Sequence, residues 1–115
     1  MKLDERLLQR DEGLHALGAV NIAFLGDSVT HGCFEDGVFD FDAVYHAKLC
    51  RMLHGENPFM PINIINAGIG GITAKASLDR LERDVFCHRP ELVVCFGLND
   101  VGRPCLLYTS PSPRD

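Results

Sequence analysis

Three short segments carry the residue types that acyl transfer needs: Gly26-Asp27-Ser28, Asn66-Ala67-Gly68-Ile69-Gly70-Gly71 and Gly97-Leu98-Asn99-Asp100. That chemistry calls for a nucleophile and for hydrogen-bond donors aimed at the charge developing on a carbonyl oxygen. Ser28 follows a tight turn that Gly26 permits, so its hydroxyl can stand clear of the preceding element. Its own backbone N–H, at or near a helix start, can point at an anion. The glycines at 68, 70 and 71 let the main chain approach a substrate closely, and Asn99 adds a neutral side-chain donor. Ser and Asn are also common turn residues, so each segment taken alone has an ordinary structural explanation.

Regular elements must bring these segments together. Val20-Asn-Ile-Ala-Phe-Leu25 is a mainly apolar run of strand length ending at Gly26, and such continuous runs suit a parallel strand buried on both faces. A glycine-containing loop, residues 30–40, leads to a predicted helix over 41–54, capped by Asp40 or Asp42, with Tyr45, Leu49, Met52 and Leu53 on its apolar face. Ile62-Asn-Ile-Ile65 reads as a second strand running into the glycine-rich segment. A helix is expected over 73–85, its apolar stripe Ala74, Leu78, Leu81 and Val85, with Lys75, Asp79, Arg80, Glu82 and Arg83 toward water. Glu91-Leu-Val-Val-Cys-Phe96 is the third strand. Before the first strand, Leu3, Leu7, Leu14 and Leu17 predict a short helix that Asp4 can cap and Gly13 weakens. Strands alternating with helices imply a parallel sheet with right-handed crossovers. In such a sheet the three polar, glycine-bearing loops share the carboxyl edge, where ligands bind.

The three blocks resemble those of the SGNH (GDSL-type) hydrolases, a family of esterases, lipases and carbohydrate deacetylases with a flavodoxin-like, three-layer α/β/α fold. Gly26-Asp27-Ser28-Val29-Thr30 is similar to the first block, Asn66 to Gly71 to the second, and Gly97-Leu98-Asn99-Asp100 to the third. The resemblance implies that Ser28 is the nucleophile and that Gly71, through its N–H, and Asn99, through its side chain, form the oxyanion hole. It covers residues 20–100. It implies a serine ester hydrolase working through an acyl-enzyme on a small ester or acylated carbohydrate, with no metal or organic cofactor.

One block of that family is missing. Its Asp-x-x-His motif, which carries the general base, occurs nowhere in the 115 residues. A serine without a base is a weak nucleophile at neutral pH, so this chain is expected to be close to inactive. The last eleven residues, Cys105-Leu-Leu-Tyr-Thr-Ser-Pro-Ser-Pro-Arg-Asp115, break with the preceding composition and resemble the translation of a transposase-based sequencing adapter. The expected organisation is therefore a helical lead-in over 1–19, a partial hydrolase domain over 20–104 truncated after its third strand, and a non-native tail over 105–115. Loss of later strands would leave a sheet edge unpaired and make the fragment prone to aggregate.

Composition narrows the alternatives. At 46% hydrophobic and 23% charged, the chain fits one small globular domain. A net charge of −5 with no basic run argues against nucleic acid, and no apolar run reaches bilayer length. With a charged N-terminus in place of a secretory apolar region, a cytoplasmic protein is expected. Five cysteines at irregular spacing form neither a redox pair nor a zinc set and read as reduced thiols, Cys50 and Cys95 as buried ones. Asp27 and Asp100 read as loop anchors. His31 reads first as an exposed loop histidine, though it could contact the site and is the one histidine that could substitute as a base, while His15, His46, His54 and His88 read as surface or helix-end residues. Two other functions stay open: a non-catalytic small-ligand module using the same crevice, and a nucleotide-binding domain. The latter rests on Gly68-Ile-Gly70-Gly-Ile-Thr73, but Thr73 stands where a third glycine belongs, and the acid at Glu91 begins a strand where a ribose-binding acid should end one.

Overall fold

The computed structural model describes residues 1–35 and 37–96. Strands β1 (Val20–Gly26), β4 (Ile62–Gly68) and β5 (Leu92–Phe96) form one parallel sheet in the order β4-β1-β5. The first strand is thus central, with the next two on either side, as at the start of a flavodoxin-like doubly wound sheet. Between them lie α3 (Ser28–His31), the antiparallel pair β2 (Cys33–Glu35) and β3 (Val38–Phe39), and α4 (Tyr45–Glu56). After β4 come α5 (Ala74–Leu78), α6 (Leu81–Asp84) and a 3-10 turn at Phe86–His88. Two short helices, α1 (Leu3–Leu7) and α2 (Glu12–Leu17), precede the sheet.

Successive side chains of β1 point to opposite faces and so divide the core in two. Val20, Ile22 and Phe24 pack with Met60, Leu3 and Leu7 of α1, Leu14 of α2, and Tyr45, Leu49 and Leu53 of α4. Ala23 and Leu25 pack with Ala67, Val85, Ile65 and Leu81 on the other face. Two helical layers around a sheet give the expected α/β/α plan. At its amino edge the buried Arg6 reaches Ala19 O (2.9 Å), Gly18 O (3.2 Å) and the Glu91 carboxylate (Nε–Oε2 2.8 Å). One guanidinium therefore staples the lead-in to the start of β5.

Several details differ from expectation. The N-terminal helix is two helices, broken where Asp11 takes a φ of 51°. Lys2 precedes α1 as its cap residue, and Asp4 bonds the Glu5 N–H inside the first turn. Helix α4 starts at Tyr45 because Asp40 Oδ1 accepts from the N–H groups of Asp42 and Ala43, folding residues 40–43 into a turn. The loop over 30–40 contains the β2–β3 pair, for which the Asp36-Gly37 dipeptide was the available sequence signal. The helix over 73–85 breaks at Asp79–Arg80. Its stripe fails there: Leu78 is exposed, and Arg80 turns inward to bond Ala67 O (2.7 Å) and Asp84 (3.1 Å). Two bonded partners outweigh what a leucine would gain at that position. Strand β5 is largely exposed, Cys95 included, because among the described residues no strand pairs with its outer edge.

Candidate active site

The register sets the site. Gly26, the last residue of β1, pairs with Gly68 of β4 on one side and Phe96 of β5 on the other. The first two polar segments therefore leave the sheet at one level of its carboxyl edge, the level at which β5 ends with Phe96. The first two lie within the described residues. The third begins at Gly97, so Asn99 and Asp100 lie outside them, as does the tail over 105–115.

Ser28 is the first residue of α3, half-buried. Asp27 precedes it as the N-cap, and its Oδ1 accepts the Val29 N–H at 3.1 Å. This is the anchoring role expected of Asp27. Burial pushes its carboxyl above the ordinary value of 3.8, against the lowering effect of that hydrogen bond. The turn that carries Ser28 is crowded on its inner side. A methyl group on Gly26 would collide with Phe96 O and the Thr30 side chain. Thr30 is fully buried; its hydroxyl lies 3.0 Å from the Tyr45 hydroxyl, and its carbonyl accepts from His46 Nε2 at 2.9 Å. Burial raises the Tyr45 phenol above its ordinary value. Helix α4 thus fixes α3 through two polar side chains.

The second segment closes on the first. Ile69 N donates to Gly26 O at 3.1 Å, and Asn66 Nδ2 donates to His31 O at 3.1 Å. Asn66 Oδ1 accepts from Gly68 N at 2.9 Å. Gly68 lies flat against the end of α3, where any side chain would meet the backbone of Thr30 and His31. Gly71 holds a left-handed φ of 78°, which a glycine adopts without strain. A methyl group on Gly70 would stand 3.7 Å from Ser28 Cβ and 3.9 Å from His31 Nδ1. Gly70 therefore lies beside Ser28, and Gly71 follows it at the same edge of the sheet.

One histidine differs in part from its reading. His46 stands at the start of α4, one of the two places expected for it, but it is buried, with its ring 5.0 Å from that of Phe24. Sequence reasoning missed it, and Thr30 with it, because a His at a helix start next to a Tyr carries no signal of burial. Glu91, the acid of the nucleotide-binding alternative, is engaged by Arg6 at the opposite edge of the sheet. Among the described residues, no group of three His, Cys, Asp or Glu could hold a metal ion, and no helix is long and apolar enough to cross a membrane.

Known proteins share this fold. Residues 24–111 match the GDSL-like lipase/acylhydrolase family. An acetylxylan esterase of Geobacillus stearothermophilus is 33% identical over 88 residues, covering 71% of this chain and 40% of that protein. Among solved structures, a two-domain esterase active on acetylated mannans superposes with a TM-score of 0.65 at 30% identity, over 79% of this chain and 24% of its own. The structure of the acetylxylan esterase Axe2 from Geobacillus stearothermophilus superposes with a TM-score of 0.58 at 32% identity, over 73% and 41%. Two further matches are catalytic mutants of Axe2, one lacking an Asp and the other a His three positions beyond it. The chain thus spans less than half the length of these relatives. With the matched span, the shared fold and the alignment of the strand ends together, the chain belongs to the GDSL-like lipase/acylhydrolase family.

Proposed function

We propose that the parent of this chain is a serine ester hydrolase that removes acyl groups, acetyl in the first instance, from carbohydrates. Ser28 attacks the ester carbonyl and forms an acyl-enzyme. The N–H groups of Ser28 and Gly71 and the side chain of Asn99 hold the oxyanion, and water then releases the acid. The observation that carries the reading is the approach of the Gly70–Gly71 turn to Ser28 at the level where Gly26, Gly68 and Phe96 align. The acetylated substrates named for the matched esterases favour a sugar acetate over a lipid ester. A net charge of −5 favours a neutral sugar over an anionic partner and keeps nucleic acid and membranes out of the reading; a cytoplasmic location completes it.

The general base belongs to an Asp-x-x-His block absent from these 115 residues. The Asp and His replaced in the Axe2 mutants have that spacing and support its place in the parent. We also take residues 20–104 as the partial domain, 1–19 as its lead-in and 105–115 as a non-native tail. The family match runs on to residue 111, so the junction is best decided at the DNA.

The test is to sequence the source DNA across codon 104, express the protein it encodes, and assay acetate release from acetylated xylo- and manno-oligosaccharides. The full-length protein should be active, with Ser28→Ala slower by about 10⁴-fold or more. The 115-residue chain should run near the Ser28→Ala rate. Full activity in Ser28→Ala would refute the nucleophile, and full activity in the 115-residue chain would place the base inside it. A frame that ends at codon 115 with no base would favour the ligand-binding module instead.

A further inference from the structure

We propose that His31 is a positioning residue for the oxyanion loop: its imidazole nitrogen holds the Gly70–Gly71 turn in place opposite Ser28. This rests on the reading of Ser28 and Gly71 given above. His31 Nδ1 accepts the Gly70 N–H at 3.2 Å. An accepting Nδ1 carries no proton, so the neutral ring keeps its proton on Nε2. Both nitrogens are then committed, and His31 cannot take the Ser28 proton while it holds the loop. The substitute-base role considered from sequence gives way to a structural one.

The rest of the residue is fixed as firmly. Its N–H donates to Asp27 O at 2.9 Å, and its carbonyl accepts from Asn66 Nδ2 at 3.1 Å. The ring lies against Phe39, with centroids 4.6 Å apart. His31 therefore ties the last turn of the nucleophile's helix to the glycine segment at both ends, Asn66 and Gly70. The tie matters because Gly70 and Gly71 have no side chains to fix their peptides by packing, and glycine main chain has several conformations open to it. Oxyanion stabilisation depends on donors that are already in place when charge develops. The imidazole supplies that order at the Ile69–Gly70 peptide, one peptide before the Gly71 N–H.

The test needs no general base. Methylboronic acid bonds through boron to a serine oxygen, the serine proton leaves to solvent, and the resulting negatively charged tetrahedral boronate places one of its hydroxyl oxygens where the oxyanion would lie. Its dissociation constant is measured by NMR titration of the 115-residue chain, with Ser28→Ala, His31→Leu and His31→Asn beside it. Asparagine offers an oxygen acceptor in place of Nδ1, whereas leucine offers none. His31→Leu should weaken the boronate by about tenfold or more, on the scale of losing an oxyanion donor. His31→Asn should recover most of that loss and keep the Gly70 and Gly71 amide shifts near those of the wild type. A scalar coupling across the hydrogen bond between Gly70 N and His31 Nδ1, read in the wild type, needs no variant to fold. Absence of that coupling would overturn the inference, as would equal boronate affinity in wild type and His31→Leu or equal loss in both His31 variants. No boronate binding by the wild type, or undiminished binding by Ser28→Ala, would instead overturn the reading of Ser28, and the coupling would still decide whether His31 holds the loop.

Discussion

Three neighbouring glycines should answer alanine substitution in three different ways, because each is glycine for a different reason. At Gly68 the added methyl would lie less than 3.0 Å from His31 N, Thr30 C and His31 Cα, all backbone atoms. Overpacking costs about 1–3 kcal/mol where side chains can give way. Here α3 would have to lift off β4, so Gly68→Ala should cost about 3 kcal/mol or more. For a domain near 100 residues that is roughly 12–24 °C in melting temperature. Gly71 has nothing within 4 Å of a would-be methyl, but its φ of 78° makes alanine strained by about 1–2 kcal/mol. Gly70 has neither problem: its methyl would make ordinary contacts at 3.7–4.0 Å, and its φ is not left-handed. Gly70→Ala should therefore be neutral or stabilising by about 0.4–1 kcal/mol through the unfolded chain, while its methyl narrows the gap to Ser28. The assay is urea unfolding of the three variants with boronate affinity measured alongside. Gly68→Ala within about 1 kcal/mol of wild type, or Gly70→Ala the most damaging of the three, would refute the packing described for this edge.

Other perturbations test the supports. Arg6→Ala removes the buried guanidinium that joins the lead-in to Glu91 and should cost about 2–4 kcal/mol in urea, near the lower end of a broken buried pair because Glu91 is one-third exposed; a loss below about 0.5 kcal/mol would mean the lead-in is not held there. Asp27 has its folded value raised by burial, so ionisation costs the folded state, and the stability of the protonated form is lost as pH rises through that value. Asp27→Asn, whose amide oxygen can still accept from Val29, should accordingly raise the melting temperature at pH 7, with the gain fading below about pH 4; a gain that grows on acidification would contradict the burial. Deleting residues 105–115 should leave the urea midpoint unchanged, and a drop of more than about 1 kcal/mol would give the tail a part in the fold.

The strands and the shared edge were legible because apolar runs ending in glycine have few other uses. Val20–Gly26 could only be buried on both faces, and each of the three runs stopped where a polar loop began. The helices were less legible, since periodicity reports which residues are apolar and not which polar ones find partners. Arg80 and Leu78 show the difference. The stripe over 73–85 assigned leucine inward and arginine outward, yet the guanidinium found Ala67 O and Asp84, the helix broke, and Leu78 was left exposed. Arg6 and His46 went unread for a related reason: Thr30 O and Ala19 O are backbone carbonyls that no side-chain pattern marks, and the Glu91 carboxylate that also holds Arg6 lies 85 residues away in sequence.

That asymmetry bears on how the candidate site is built. The groups proposed to meet substrate, Ser28 and Gly71, sit in motifs short enough to read from sequence. The groups that hold them are scattered along the chain. Thr30 sits between the hydroxyl of Tyr45 and the ring of His46, and His31 between Asn66 and Gly70. Each of these contacts joins α3 to a different element, α4 in the first case and the end of β4 in the second. A four-residue helix has too few internal hydrogen bonds to persist alone. The position of Ser28 is therefore a tertiary property. Chemistry can be graded by the motif, but pre-organisation depends also on His31, Tyr45 and His46 outside it, and loosening either anchor should cost the oxyanion site before it costs the sheet.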